Sequence, residues 1–398
     1  MRIATANSYN TALDSLVNRQ SALTSTQEQM TTGKRVNRAS DDPAAAARSE
    51  RALASERRSV ANQRAVDASD NAMKLTESAL GDAGSLLQQV REALVAAGNG
   101  AYSDAERAGA ANQIADLRQQ LFAVANRTDG AGTYLFGGQG STLAPFSDAA
   151  GGVQFQGTSG QVQAASGEAL PLTMDGEATW MNARTGNGVF TTRAVTSTGS
   201  AWIDIGSVVN PAAVTGSTYS IQFSVAAGAT TYSVLKDGVA TAQTNVAFTA
   251  GQPIQVDGLS ATITGQPASG DVFELAPSTP TLSVFDALDK AVADLKTPNR
   301  TATQMAQSNV INLNNVDKVL NQVLSGRTEI GATMNRIDSV TDRLSALKLS
   351  SQTERSNAED LDMTQAISDF SNQQTGYDAA LKAYSMVQRL SLFNYLNP

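Results

Sequence analysis

Apolar residues recur at every seventh position over long stretches near both ends of this chain, whereas its middle alternates with a period of two. The first stretch places Tyr9, Leu16, Leu23 and Met30 in step, with Leu13 beside them and Gln20 and Gln27 at the flanks. Such a narrow seam predicts a helix that faces one partner helix rather than a broad core. Burying a large apolar side chain stabilises by about 1.5–3 kcal/mol, and ordering each residue costs about 1–2 kcal/mol. A few anchors therefore cannot hold this helix alone. A second step, Val66, Met73, Leu80, Leu87 and Leu94, predicts an alanine-rich helix from Pro43 to about Ala97, softened at Gly81 and Gly84 and stopped by Gly98-Asn99-Gly100. Ser103 with Glu106 reads as a capping box. The helix it opens carries Ile114, Leu117, Leu121 and Val124 on one face and is expected to end near Asp129-Gly130.

Between the first two helices lies Gly33-Lys34-Arg35-Val36-Asn37-Arg38-Ala39-Ser40-Asp41-Asp42-Pro43. Gly33 is suited to end a helix in a left-handed turn. Asp42 or Ser40 is suited to cap the next one, with Pro43 at its first position, where a missing N–H costs nothing. The pair Asp41-Asp42 then sits at the positive end of the new helix dipole.

From Gly137 to Pro280 glycine, threonine, serine and valine dominate, with Arg184, Arg193 and Lys236 as the basic residues. Tyr219–Val225 and Ala261–Thr264 alternate as strands do, and Thr231–Leu235 before Lys236-Asp237-Gly238-Val239 predicts a hairpin with an Asp-Gly turn. Helical spacing resumes at Thr281 with Leu282, Phe285, Leu288, Val292 and Leu295, and breaks at Thr297-Pro298-Asn299. Thr301 with Gln304 offers another capping box. From there Val316, Val323, Ile330, Ile337 and Leu344 keep the seven-residue step through Gly326 and Gly331. The step weakens at Ser351 and is renewed by Met363, Phe370, Tyr377 and Tyr384, with Ile367 and Leu381 alongside. One very long helix, or two in line, is expected to end near Tyr395. The fold class is thus α+β: a long α-helical coiled-coil frame formed by both chain ends, with an inserted all-β domain. Its expected divisions are an N-terminal helix and joint (1–42), a long helical hairpin (43–136), an outward-facing β-rich domain (137–280) and C-terminal helices that complete the frame (281–398).

Composition narrows the function. The 398 residues carry a net charge of −8 and contain neither cysteine nor histidine. No disulfide or thiolate metal site can form, and the commonest general base and metal ligand are missing. An acidic chain argues against binding duplex nucleic acid. The start of the chain has no apolar core of a cleaved signal, and no apolar run approaches a membrane span. Taken alone these facts predict a soluble cytoplasmic protein, unless a machine that reads an uncleaved terminus exports it. No enzyme, cofactor, metal or membrane insertion is expected.

The remaining candidates for chemistry have simpler explanations. Gly130-Ala131-Gly132 and Gly137-Gly138-Gln139-Gly140 follow a helix, precede strands and lack a nearby lysine, unlike a phosphate loop; they read as a flexible exit into the β domain. Asp41 with Asp42, and Glu354 with Glu359 and Asp360, read as helix caps and solvated faces rather than as a metal or acid–base pair. Arg48, Arg51, Arg57, Arg58 and Arg64, interleaved with Glu50 and Glu56, read as a salt-bridged helix surface. Trp180 and Trp202 read as core or edge residues of the β domain. The aromatic stripe Phe370, Tyr377, Tyr384 and Tyr395 has little chain left to cover it, which points to a surface for a partner helix.

The joint at 33–43, the segment Gly132-Thr133-Tyr134-Leu135-Phe136-Gly137-Gly138 and the tail Tyr377-Asp378-Ala379-Ala380-Leu381-Lys382-Ala383-Tyr384 resemble the flagellin superfamily. The likeness covers both helical ends, about two-thirds of the chain, and leaves the β region unmatched. It implies a secreted axial protein of the bacterial flagellum, exported through the type III channel with an uncleaved signal and a cytoplasmic chaperone, which the C-terminal helix would bind. It implies self-association in a ring at the hook–filament junction, between hook-associated protein 1 and the first flagellin subunits. By position, Leu13, Leu16, Leu23, Met30, Phe370, Tyr377, Leu381, Tyr384 and Tyr395 would form the assembly interface, with Gly33, Ser40, Asp41, Asp42 and Pro43 as its joint and helix cap. Two other readings stand beside this one. A filament flagellin is disfavoured by Pro43 and by the ending Leu392–Pro398, where flagellins tend to have a leucine-arginine run. A coiled-coil adhesive or tail-fibre protein would be a stable trimer.

Overall fold

The computed structural model describes residues 2–140, 143–164 and 168–393. The described residues form seven α-helices: α1 (Arg2–Thr32), α2 (Pro43–Ala97), α3 (Asp104–Ala125), the short α4 (Gly176–Trp180) within the β-rich region, α5 (Val284–Lys296), α6 (Ala302–Glu359) and α7 (Met363–Phe393). Contacts divide the chain into two compact units, one formed by the two chain ends, up to Arg64 and from Val340, the other by Ala65–Ser339.

In the central unit the seven-residue steps do what their spacing predicts. Val66, Met73, Leu80, Leu87 and Leu94 of α2 are buried, as are Val316, Val323, Ile330 and Ile337 of α6. The two helices run antiparallel, with Glu77 bound to Arg327 and Arg91 Nε donating to Asp317 at 2.7 Å. Neither Gly81 nor Gly84 interrupts α2, and α6 passes through Gly326, where a Cβ would lie 2.9 Å from Met174 Cε.

Helix α3 opens on the expected capping box, the Ser103 hydroxyl accepting from the Glu106 N–H while the Glu106 carboxylate accepts from the Ser103 N–H. It ends at Ala125, earlier than the sequence suggests. The Asn126 side chain pairs with both the N–H and the carbonyl of Phe146, at 3.0 Å each, and that tie turns the chain away from the helix axis. Within the glycine-rich exit, expected to be flexible, Gly138 is a close-packed point. Gly138 has φ +65° and lies so close to Thr158 that a Cβ would stand 1.9 Å from its carbonyl oxygen. Only glycine fits there.

Among the described residues the middle of the chain forms two main antiparallel sheets, beside two strand pairs, Phe146–Ala149 with Gly152–Phe155 and Ala183–Arg184 with Pro280–Leu282. In the larger, Tyr219–Ala226 lies between Ala229–Lys236 and Val272–Pro277, and Phe190–Thr196 borders the latter. In the smaller, Leu259–Thr264 pairs with Pro253–Val256, Trp202–Ile203 and Ser207–Val208. Alternate residues Tyr219, Ile221 and Phe223 join Phe273, Leu275, Ile203 and Ile263 in one buried cluster. The Asp-Gly hairpin forms as its spacing predicts: Lys236 pairs with Val239, and Asp237 and Gly238 both have positive φ, as a type I′ turn requires. Side chains of α6 hold this region through its backbone. Gln307 accepts from Ile203 N–H at 2.8 Å and donates to its carbonyl at 3.1 Å, and Lys318 donates to the Asn187 carbonyl at 2.7 Å.

The two tryptophans part company. Trp202 is a half-buried strand residue, but Trp180 belongs to α4 and not to a sheet. It is fully buried, stacked on Phe285 of α5 with centroids 6.0 Å apart and flanked by Phe136 and Phe146. Beside this aromatic cluster the buried Arg118 of α3 ties Asp148 to Asp289, donating to each through two nitrogens. Its bond to Asp148 raises the Arg118 pKa further and holds that carboxyl below its ordinary range.

Candidate assembly interface

The terminal unit is built around two joints. At the first, Gly33 takes φ +71° and ends α1 in the left-handed turn that its sequence suits. Asp41 accepts from the N–H groups of Asn37 and Arg38 at 3.1 and 2.8 Å, which shapes the loop. Asp42, and not Ser40, caps α2: its Oδ1 accepts from Ala44 and Ala45 N–H, while Oδ2 pairs with Arg35 at 3.2 Å. These donors, Ala45 N–H above all and then Arg35, lower the Asp42 pKa. Ser40 donates instead to its neighbour Asp41, and Pro43 opens α2.

The second joint is the break between α6 and α7. Asp362 caps α7, accepting from Thr364 and Gln365 N–H at 2.9 and 3.2 Å. The two joints bind each other. The Gly33 carbonyl accepts from Leu361 N–H at 3.0 Å, and the Glu359 carbonyl accepts from Arg35 N–H at 2.7 Å. Lys34 and Asp360 form a β-bridge. Arg35 also donates to the Ala358 carbonyl at 2.8 Å, and the Glu359 carboxylate takes Lys34, Arg355 and the Ser49 hydroxyl. Glu359 is therefore a half-buried organising group rather than part of a solvated face. Val36 is buried beneath the ladder.

The seam between α2 and α6 does not lapse at Ser351. It continues through Ser351 and Ala358, opposite Ala45, Ala52 and Ser59, all buried. The step survives while its side chains become small, and a Ser351–Ser55 hydroxyl contact at 3.1 Å takes the place of leucines. An apolar pattern misses this stretch because serine does not count as apolar; a pattern that includes small residues finds it.

Beyond the joints α1 and α7 pair antiparallel. The Tyr9 and Tyr384 rings lie 5.4 Å apart with their hydroxyls in contact. Thr26 donates to Gln373 at 2.9 Å, and Gly376 leaves room for Arg19, which a Cβ would meet at 2.7 Å. Leu16 and Ala366 are buried, while Leu23, Met30, Phe370 and Tyr377 are half-buried. Leu13 (44% exposed) and Leu381 (41%) remain partly open to solvent. So do Val17, Met363, Ile367 and Met386. Tyr395 lies outside the described residues. Full burial of a large apolar side chain is worth about 1.5–3 kcal/mol, so these exposed groups leave on the order of 5–10 kcal/mol of burial unmade. Across the described residues, no three Asp or Glu side chains gather as a metal site needs, and no helix is long and apolar enough to cross a membrane.

The basic run on α2 departs from its expected reading. Glu56 pairs with Arg355 of α6 rather than with a neighbour on its own helix. Arg48, Arg51, Arg57, Arg58 and Arg64 are exposed and form no ion pair among the described residues.

Paired terminal helices with an apolar outer stripe, carried on longer helices that also hold a sheet insertion, define a subunit of an axial assembly. Family models agree: the bacterial flagellin N-terminal helical region matches residues 3–141, and the C-terminal helical region matches residues 313–396, together more than half of the chain. The chain belongs to the flagellin superfamily. Its full-length likeness within that family is to flagellar hook-associated protein 3: the Escherichia coli protein is 27% identical over 397 residues, 99% of each chain. The crystal structure of Xanthomonas campestris FlgL is similar with a TM-score of 0.69 at 28% identity, over 77% of this chain and 99% of that one. Bacillus subtilis flagellin is 30% identical over only 128 residues, 32% of this chain and 42% of its own.

Proposed function

We propose that this chain is a structural axial protein of the bacterial flagellum that joins hook to filament, and that α1 and α7 carry its assembly. The observation that bears the reading is its full-length likeness to hook-associated protein 3, where likeness to flagellins stops at partial segments. Its role is mechanical. Leu13 and Leu381 with the open sides of Leu23, Met30, Phe370, Tyr377 and Tyr384, and Tyr395 at the tail, form the interface by which copies pack into a ring, while Leu16, buried within the chain, supports that surface from beneath. One side of the ring meets hook-associated protein 1 and the other meets flagellin. The chain reaches that place by export from the cytoplasm, its C-terminal helix held by a chaperone until assembly. The β-rich region, 137–280, is the outward-facing domain of this arrangement, and the helices of 1–42, 43–136 and 281–398 are its frame.

The test is a strain that lacks the protein. It should keep its hooks and shed its filaments, and the unaltered chain should restore them. Leu381→Asp adds a charge to the exposed stripe without touching the buried core. It should leave the β region folded and abolish filament attachment. Normal swimming with that variant would remove α7 from the interface, and a deletion strain with filaments firmly on its hooks would end the junction reading.

A further inference from the structure

Helices α1 and α7 are fastened at one end by the bond between Gly33 and Leu361. Tyr9 stands almost as far before Gly33 as Tyr384 stands after Leu361. With the same rise per residue in both helices, the two tyrosines meet at the far end of the pair. Their ring centroids are 5.4 Å apart, the ring planes are inclined by 44°, and the Tyr384 hydroxyl donates to that of Tyr9. Between ladder and tyrosines the buried residues of α1 and α7 are Leu16, Thr26 and Ala366. A helix pair with so little burial opens readily from its ends. The chain contains no cysteine, so no disulfide can hold the far end shut.

We propose that Tyr9 and Tyr384 are a site of oxidative coupling, at which a peroxidase-type oxidant outside the cell joins the two phenol rings. Hydrogen peroxide is the electron acceptor. Each phenol gives up one electron and its hydroxyl proton, leaving a tyrosyl radical with spin on the ring carbons beside the oxygen. Hydroxyl contact at this centroid separation puts such carbons of the two rings within reach, and one carbon–carbon bond forms between them. The hydrogens displaced from the joined carbons return to the oxygens and restore both hydroxyls. The two electrons and two protons reduce one peroxide to two waters. Radicals that would otherwise meet by diffusion are already neighbours here. Tyr9 is 42% exposed, so an oxidant in solvent reaches it.

The oxidising surroundings follow from the extracellular position in the proposed function, whereas the coupling follows from the contact within this chain. The new bond ties residues 375 positions apart. A cross-link over so long a loop restricts the unfolded chain strongly. Locally it acts as a staple. With the ladder at one end and the coupled rings at the other, α1 and α7 cannot unzip from the termini, and the apolar surface they carry stays in place.

The test treats the purified full chain, kept dilute, with a peroxidase and hydrogen peroxide. A monomeric band with the blue fluorescence of coupled phenols is expected. Proteolysis should then release one linked peptide pair, Tyr9 to Tyr384, lighter than the two free peptides by two hydrogens. Tyr9→Phe and Tyr384→Phe each keep a ring in place. Either should lower the fluorescence roughly tenfold, with hydrogen exchange before oxidation as in the natural chain, whereas Tyr377→Phe should leave it unchanged. In the coupled chain, exchange in α1 and α7 should slow roughly tenfold and stay unchanged in the sheets. No coupling, covalent dimers, a link from Tyr384 to another tyrosine, or fluorescence retained in either variant would overturn the site. Unchanged exchange after coupling would overturn the staple. Each of these failures leaves the junction role standing, since that role is read from the filaments of the deletion strain.

Discussion

The carbonyl of Gly33 accepts a hydrogen bond from the N–H of Leu361 at 3.0 Å, joining two chain segments that lie more than three hundred residues apart in sequence. That bond heads a ladder in which the turn that ends α1 meets the turn that opens α7. Both turns present backbone groups that helices leave unpaired at their ends, and each satisfies the other. The ladder fixes where the terminal helix pair starts, and the few residues buried between α1 and α7 depend on it.

Replacing Gly33 with Ala tests the ladder. Nothing crowds a Cβ there, so the cost is backbone strain at positive φ, about 1–2 kcal/mol. Hydrogen exchange should accelerate in α1 and α7 and stay unchanged in the sheets. Equal acceleration throughout would mean that the joint does not act locally.

Arg35→Gln removes the guanidinium that ties Ala358 to Asp42. The pair is half exposed, so a loss of about 1 kcal/mol is expected, at the low end for charged hydrogen bonds. The same exchange experiment reads it, and the change should be confined to the terminal unit.

Ser351→Leu tests the small-residue seam. The apolar pattern alone welcomes a leucine at this step, but Ser351 is buried against Ser55. Overpacking should cost about 1–3 kcal/mol in urea unfolding. A stabilised variant would show that the helices stand further apart than the hydroxyl contact requires.

Asp271 gives the β region an acid dependence. Burial by itself raises the pKa of this carboxyl, but donors on Thr198, Gly199 and Ala268 outweigh that and hold it below the ordinary value. A lowered folded-state pKa contributes stability above the unfolded value, near 4, and loses it as pH falls through the folded one. Urea midpoints should therefore drop in acid. Asp271→Asn should lower stability at pH 7 by about 1–3 kcal/mol and flatten that acid dependence.

Trp180→Ala removes the stacked ring on Phe285 and should cost about 3–5 kcal/mol, with loss of near-ultraviolet circular dichroism from the aromatic cluster.

The sequence by itself determined what depends on neighbours along the chain. The seven-residue step marked the buried lines of α2 and α6, Ser103 with Glu106 and Thr301 with Gln304 marked helix starts, and Asp237-Gly238 marked a hairpin. These are local preferences of backbone and side chain, legible within a few residues. Only the tertiary structure decided which distant groups meet: Gly33 with Leu361, Arg118 with Asp148 and Asp289, Trp180 with Phe285. It also decided that Ser351 and Ala358 extend the seam between α2 and α6, and that Leu13 and Leu381 stay exposed on α1 and α7. A carboxylate, an arginine or a serine fits a surface as readily as a buried contact, and only the partner that folding brings to it removes the ambiguity.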